Sequence, residues 1–287
     1  MLIFKFQYRF FEMRKVMLDL VGKSGKDVLE VAKEVALEAG DLLMRRFRSV
    51  LEINYKGRGN IVTDVDKEAQ DLIQRSLFAE FPEIRFVGEE SENPNISNGL
   101  CWIVDPIDGT RNFASGIPIF SIVIGLISDS NTIVGVNYDP IRNDMFEAKL
   151  GSGTRLNGKL MQVSAQTKIS ECIIGMDMSY SNQGGANSLD VVKSIWPGMQ
   201  TLRIMGSSAL GLSYVSSGMI DLYFNHQLSA WDQVAGILLV NEAGGYVIDR
   251  NNQQAQVKSD GIIASNRELL SEFIELTKGM NWRKQSK

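Results

Sequence analysis

Apolar residues near the start of the chain recur at helical spacing. Val28, Val31, Ala32, Val35, Ala39, Leu42 and Leu43 fall on one face of a helix predicted over 24–47, with Ser24 able to cap it. Gly40 lies inside that helix and is tolerated at some cost. Residues 51–55 read as a strand, and Lys56-Gly57-Arg58-Gly59-Asn60 as a polar, mobile loop. Residues 64–81 read as a second amphipathic helix closed by Pro82. The pattern then shortens into strands at 85–88 and 100–105, with a loop over 93–99 between them. Residues 120–128 and 132–138 flank Asp129-Ser130-Asn131 and predict antiparallel neighbours, with 145–149 extending the same sheet. The two opening helices would cover one face of it. Further on, strands at 172–176, 200–204, 222–224, 245–248 and 261–264 alternate with helices at 186–196, 207–217, 231–243 and 266–278, which implies a layered α/β arrangement. No linker-like stretch divides the chain. Residues 17–287 are therefore expected to form one catalytic unit of two packed halves, about 17–158 and 159–287, with a cleft between them.

Composition narrows the classes. A hydrophobic fraction of 44% and a charged fraction of 22% over 287 residues leave ample material for a globular core. A net charge of −4 argues against a nucleic-acid binder, which would carry a basic face. Cys101 and Cys172 sit in apolar runs and read as buried thiols of a reducing compartment, which makes a cytoplasmic location the expectation. With a single histidine, His226, and no cysteine cluster, zinc is disfavoured and His226 is read as structural. Residues 1–16 are aromatic and basic, too broken by charge to span a membrane and without a cleavage site. They read as a poorly ordered extension, Met17 being an alternative start, with a surface-binding arm as the sharper reading.

The chemistry concentrates at Asp105-Pro106-Ile107-Asp108-Gly109-Thr110. A buried strand delivers two carboxylates into a turn shaped by Pro106 and Gly109. That is costly unless a cation compensates, and oxygen ligands suit a hard divalent ion. Other acids have similar placement: Glu89 and Glu90 just past a strand end, Asp64 and Asp66 opening the second helix, and Asp232 opening a later one. Taken singly, first-turn acids are what capping and the helix dipole already account for.

Together these segments resemble the inositol monophosphatase family, within the lithium-sensitive, magnesium-dependent phosphatase superfamily. The resemblance rests on Gly88-Glu89-Glu90-Ser91, on Trp102 through Thr110 with Asn112-Phe113, on Trp231-Asp232 with Ala235-Gly236, and on Glu242-Ala243-Gly244-Gly245. It runs from about Val28 to the last helix. It implies an α+β (mixed α/β) fold, the layered α-β-α-β-α sandwich shared with fructose-1,6-bisphosphatase, and Mg²⁺-dependent hydrolysis of a phosphate monoester by water. Carried onto this chain, it implies that Glu89, Asp105 and the Ile107 backbone carbonyl hold one Mg²⁺. Asp105, Asp108 and Asp232 would hold a second, and a weaker third would share Glu89 through waters. Asp66 and Thr110 would orient the attacking water, with Glu89 counted among the catalytic residues and Glu90 in outer-shell support. Gly109, Thr110, Gly206, Ser207, Ser208, Asn225 and Asp232 would contact substrate. Mn²⁺ substitution, Li⁺ inhibition and a homodimer are further implications.

Two positions depart from the family pattern. Asn225 falls where inositol-using members usually carry a glutamate that grips ring hydroxyls. Thr154 replaces a usual small residue, with no catalytic consequence expected. The first departure leaves fructose 1,6-bisphosphate, NADP and 3′-phosphoadenosine phosphate as alternatives to inositol phosphate. A regulatory binding protein that keeps the fold is a third reading.

Overall fold

Helix α1 (Val28–Arg46) starts later than its apolar pattern suggests. Asp27, not Ser24, caps it, its carboxylate accepting the Leu29 N–H at 2.9 Å. Ser24 instead gives its N–H and hydroxyl to Glu80. Gly40 has a packing reason: a Cβ there would lie 2.4 Å from the Tyr138 ring. This computed structural model describes residues 20–57, 60–91, 95–96 and 99–284. The expectations for residues 1–16, for Arg58-Gly59 and for much of the 93–99 loop lie outside them.

Strands β1 (Ile53–Tyr55) and β2 (Ile61–Thr63) form a small antiparallel ribbon leading into α2 (Asp64–Glu80). Thr63 and Asp66 close the start of α2 as a capping box. Asp64, which the sequence suggests as the cap, instead pairs with Arg46 and accepts the Glu52 N–H at 3.0 Å. Next come β3 (Arg85–Gly88), β4 (Leu100–Asp108), α3 (Thr110–Ala114), β5 (Ser121–Ser128), β6 (Asn131–Asp139), β7 (Asp144–Lys149), β8 (Thr154–Leu156) and β9 (Lys159–Leu160). The remainder is β10 (Ile173–Asp177), α4 (Asn182–Ile195), β11 (Thr201–Ile204), α5 (Ser208–Ser216), β12 (Leu222–Asn225), α6 (Ala230–Glu242), β13 (Tyr246–Asp249), β14 (Ile262–Ser265) and α7 (Arg267–Leu276).

Strands β3 to β9 make a seven-stranded sheet in sequence order, antiparallel except for the β3–β4 pair. The second sheet has the order β11-β10-β12-β14-β13, parallel across β11, β10 and β12. Helices α1 and α2 bury Val35, Leu43, Ile73 and Leu77 against Trp102, Ile124 and Val136 on the outer face of the larger sheet. Helix α6 is apolar nearly all round because it is buried on both sides. Its Val234 and Ala235 meet Ile103 and Val123 of one sheet, and its Ile237 and Val240 meet Val247 and Ile262 of the other. Helices α4 and α7 close the far side with Val191, Ile195, Leu269 and Phe273. The layers are α-β-α-β-α, as the resemblance implies.

Close approach of α6 to the larger sheet depends on glycine. A Cβ at Gly125 would lie 2.5 Å from a Val234 methyl, and one at Gly135 would lie 3.0 Å from the Ala235 backbone. Backbone atoms cannot swing aside as a side chain does. Gly135→Val is therefore expected to cost about 2 kcal/mol or more through overpacking. Urea unfolding should show the lower midpoint with an unchanged slope; an unchanged midpoint would mean the helix is not held this tightly.

Candidate active site

In a regular strand, residues three apart point to opposite faces. Asp105 and Asp108 escape this because β4 carries an extra residue between them. Asp105 pairs with Val123 and Asp108 with Ser121, so Pro106 and Ile107 stand opposite Ile122 alone. This β-bulge re-aims the strand end. Pro106 is tolerated there because a bulge needs no ladder N–H from it. The Ile107 N–H turns inward to Asp105 Oδ1 at 3.0 Å.

Asp232 arrives from the first turn of α6, where the Ser229 N–H donates to its carboxylate at 2.7 Å. One carboxylate oxygen from each of Asp105, Asp108 and Asp232 lies within 4.8 Å of the others. Asp105 and Asp108 are 2% and 7% exposed. Glu89 follows β3, its N–H bonded to the Val104 carbonyl at 3.1 Å. Its carboxylate is outside the trio and meets Lys56 Nζ at 3.1 Å, and the same ammonium pairs with Glu90.

Burial pushes the Asp105 carboxyl well above the usual carboxylate range, and the nearby charges of Glu89, Asp108 and Asp232 push it further. Asp232 is raised in the same way, by burial and then by Asp108 and Glu89. Asp108 is pushed up to about 7 by burial, against the Ser207 hydroxyl and the Ala209 N–H that stabilise its charge. Burial also raises Glu89, with Lys56 opposing. Carboxylates this close and this dry resist ionising together. An all-oxygen donor set under such repulsion fits a hard divalent cation.

Asp66 is fully buried in the first turn of α2. Its Oδ2 accepts the Thr63 N–H at 2.7 Å and the Thr63 hydroxyl at 2.6 Å. The Thr110 hydroxyl lies 3.0 Å from Asp66 Oδ1 and 2.9 Å from the Ile107 carbonyl oxygen. Burial pushes Asp66 up to about 6.

A cavity of about 760 Å³ opens beside these acids, lined by Asp108, Gly109, Thr110, Gly206, Ser208, Asn225 and Asp232 among others. Gly109 has φ 97°, and a Cβ there would lie 3.0 Å from the Ile119 carbonyl oxygen, so the turn needs glycine twice over. Ser207 does not line the cavity; its hydroxyl is given to Asp108. Asn225 donates to Ser208 Oγ and to the Tyr223 hydroxyl, both at 3.2 Å, and accepts the Gln227 N–H at 3.1 Å.

The model of the inositol monophosphatase family matches residues 25–280. The chain belongs to the inositol monophosphatase family. It is accordingly a phosphatase that hydrolyses phosphate monoesters. An inositol-1-monophosphatase from Mesorhizobium japonicum is 33% identical over 255 residues, covering 88% of this chain and 96% of the relative. The Nus factor SuhB of Haemophilus influenzae is 34% identical over 251 residues, covering 86% and 94%. Among solved structures, the extragenic suppressor protein suhB of Bartonella henselae superposes with a TM-score of 0.84 at 33% identity. It covers 88% of this chain and 99% of that one.

Within this family member, His226 does not line the cavity; it is buried against Trp282, with ring centroids 6.2 Å apart. Cys101 and Cys172 are buried free thiols. Sequence reasoning passed over Asp177 and Lys56. Asp177 lines the cavity and ends an apolar strand, the same arrangement that singles out Asp105 after residues 100–104. Lys56 was visible only as part of a polar loop, since its partners lie more than thirty residues away. Among the described residues no helix is long and apolar enough to cross a membrane.

Proposed function

We propose that this phosphatase hydrolyses a small phosphorylated cyclitol or sugar, with inositol 1-phosphate first among candidates, by water attack assisted by two or three Mg²⁺ ions. The observation that carries the reading is the close trio of buried Asp105 and Asp108 with half-buried Asp232, whose crowding a divalent ion relieves. Glu89, Asp105 and the Ile107 carbonyl would hold one ion, Asp105, Asp108 and Asp232 a second, with a weaker third at Glu89. Bound there, the ions supply charge against the phosphate dianion and lower the pKa of the attacking water. The chain's own part is orientation and proton handling. Thr110 turns its hydroxyl oxygen to the incoming water while Asp66 Oδ1, 3.0 Å behind, receives the proton. Gly109 and Thr110 border the phosphate, and Gly206, Ser208 and Asn225 border the alcohol.

The test is phosphate release over a panel of inositol phosphates, sugar phosphates and nucleotides at fixed Mg²⁺. Release should vanish in excess chelator, return with Mg²⁺ or Mn²⁺, and fall with Li⁺ competing near Asp108 and Asp232. Turnover that survives chelation would overturn the metal reading. Sedimentation would test the expected homodimer.

Asn225 favours a second substrate class. Its amide is committed to Ser208, Tyr223 and Gln227, which leaves no acid to grip ring hydroxyls. Fructose 1,6-bisphosphate, NADP and 3′-phosphoadenosine phosphate therefore belong in the same panel. A relative bears the name Nus factor, so a regulatory role beside catalysis is tested by asking whether a hydrolysis-dead variant still supports the biological function.

A further inference from the structure

Asp177 ends β10, is 5% exposed and makes no ion pair among the described residues. A buried charge without a cation is costly, so its retention calls for a reason. Its partners supply one. Oδ1 accepts two successive backbone N–H groups, from Met205 at 2.9 Å and from Gly206, and Oδ2 accepts the Tyr223 hydroxyl at 2.8 Å. The carbonyls of the same stretch are held by Asn112, whose Nδ2 donates to the Met205 carbonyl at 2.8 Å and to the Gly206 carbonyl at 3.4 Å. Gly206 takes φ 74°, and a Cβ on it would press within 2.9 Å of the Asn112 amide, so the turn has one tightly defined shape. The next residues do the work of the site: the Ser207 hydroxyl and the Ala209 N–H, at 3.0 Å, both hold Asp108 Oδ2.

We propose that Asp177 is a positioning residue for metal binding: it clamps the Met205-Gly206 turn and thereby sets where Ser207 and Ala209 hold Asp108. It joins the five-stranded sheet, through β10, to a ligand that stands on the seven-stranded one. The task needs acceptors in fixed places, not negative charge. Asn is therefore a fair replacement: its oxygen can take both N–H bonds, and its amide can donate to the Tyr223 hydroxyl oxygen. Ala leaves the two N–H groups unpaired and the turn free to drift. Groups that orient a metal's ligands typically account for about 10- to 100-fold in metal affinity.

The inference rests on the metal-site reading above, and direct metal binding separates the two. Mn²⁺ binding to the full chain is followed by electron paramagnetic resonance, alongside thermal unfolding without metal. Asp177→Ala is expected to raise the Mn²⁺ dissociation constant about tenfold or more, and to lose phosphate release that added metal partly restores. Asp177→Asn should stay within about threefold of the unaltered protein, a difference worth less than about 1 kcal/mol. Gly206→Ala, which disturbs the same turn from within, should weaken Mn²⁺ binding, and combining it with Asp177→Ala should add little. Unchanged Mn²⁺ affinity in Asp177→Ala would overturn the proposal, as would an Asn variant as impaired as the Ala variant. Lower thermal stability with unaltered affinity would reduce Asp177 to a structural role. No Mn²⁺ binding by the unaltered protein would overturn the metal-site reading itself, and this proposal with it.

Discussion

Replacing Asp105 by Asn is expected to lower phosphate release at saturating Mg²⁺ by about 10³-fold, close to 4 kcal/mol of barrier, while making the metal-free protein more stable. Both effects have one origin. Asp105 stands where the fields of Glu89, Asp108, Asp232 and Asp66 all oppose its ionisation, on top of its own burial. In the apo protein that crowding opposes folding, and removing one carboxylate relieves it. On the proposed metal reading, the same crowding is what would draw cations into the site. Asn preserves the shape and still offers an oxygen to the Ile107 N–H, so the bulge survives. Thermal unfolding with and without Mg²⁺ reads the two terms apart. The midpoint without metal should rise, and the stabilisation that Mg²⁺ gives by binding the native state should shrink. Normal turnover in this variant would remove the basis for the metal assignment.

The second large effect is at Asp66. Asp66→Asn is expected to cut turnover by about 10² to 10⁴, the usual contribution of a positioned acid–base group. The fold should tolerate it. The Asn oxygen can still accept from Thr63, and its amide can donate to Thr110, whose own proton then stays on the Ile107 carbonyl. The pH dependence carries the sign. The native carboxyl titrates near 6, raised by burial from an ordinary value of 3.8. Between those values the native state holds the proton more tightly than the unfolded chain. The contribution of Asp66 to stability is thus best at low pH and is lost as pH rises through about 6. At neutral pH the ionised, buried carboxylate costs the metal-free protein about 3 kcal/mol, which the Asn variant should recover. On the proposed role of Asp66, activity runs the other way, because a proton-receiving oxygen must be ionised. The rate should fall below about pH 6, or lower still with cations bound nearby. Urea midpoints against pH for both proteins check the stability half. A variant whose stability follows the same pH curve as the unaltered protein would show that Asp66 does not carry this titration.

Legibility in the sequence followed the range of the interactions involved. Helix α1 was plain from its apolar face, yet its cap was misplaced by three residues. Ser24 and Asp27 are both good caps, and only the packing of Glu80 takes Ser24 away. Asp64 reads as the helix cap, although residue type does not separate it from Asp66. The capping box with Thr63 and the ion pair with Arg46 assign them. Ser207 was grouped with the substrate contacts because Gly206-Ser207-Ser208-Ala209 resembles the family's pocket segment, but as the extended N-cap of α5 it gives its hydroxyl to Asp108 instead. Asp177 was overlooked because its partners are backbone N–H groups about thirty residues away, which leave no trace in residue type.

By itself the sequence determined most of the order of helices and strands, missing β2, α3, β8 and β9, and a layered α/β class, while the candidate acids stood out through the family resemblance. Hydrophobic period, capping and turn chemistry act over a few residues and are written in the residues themselves. The tertiary structure alone decided that Asp105 and Asp108 face the same way, through one extra residue in β4. It also decided that Asp232 reaches them, through an α6 seated against Gly125 and Gly135. Those outcomes depend on strand register and on how closely two backbones approach. Both are set by partners distant along the chain, and no local pattern records them.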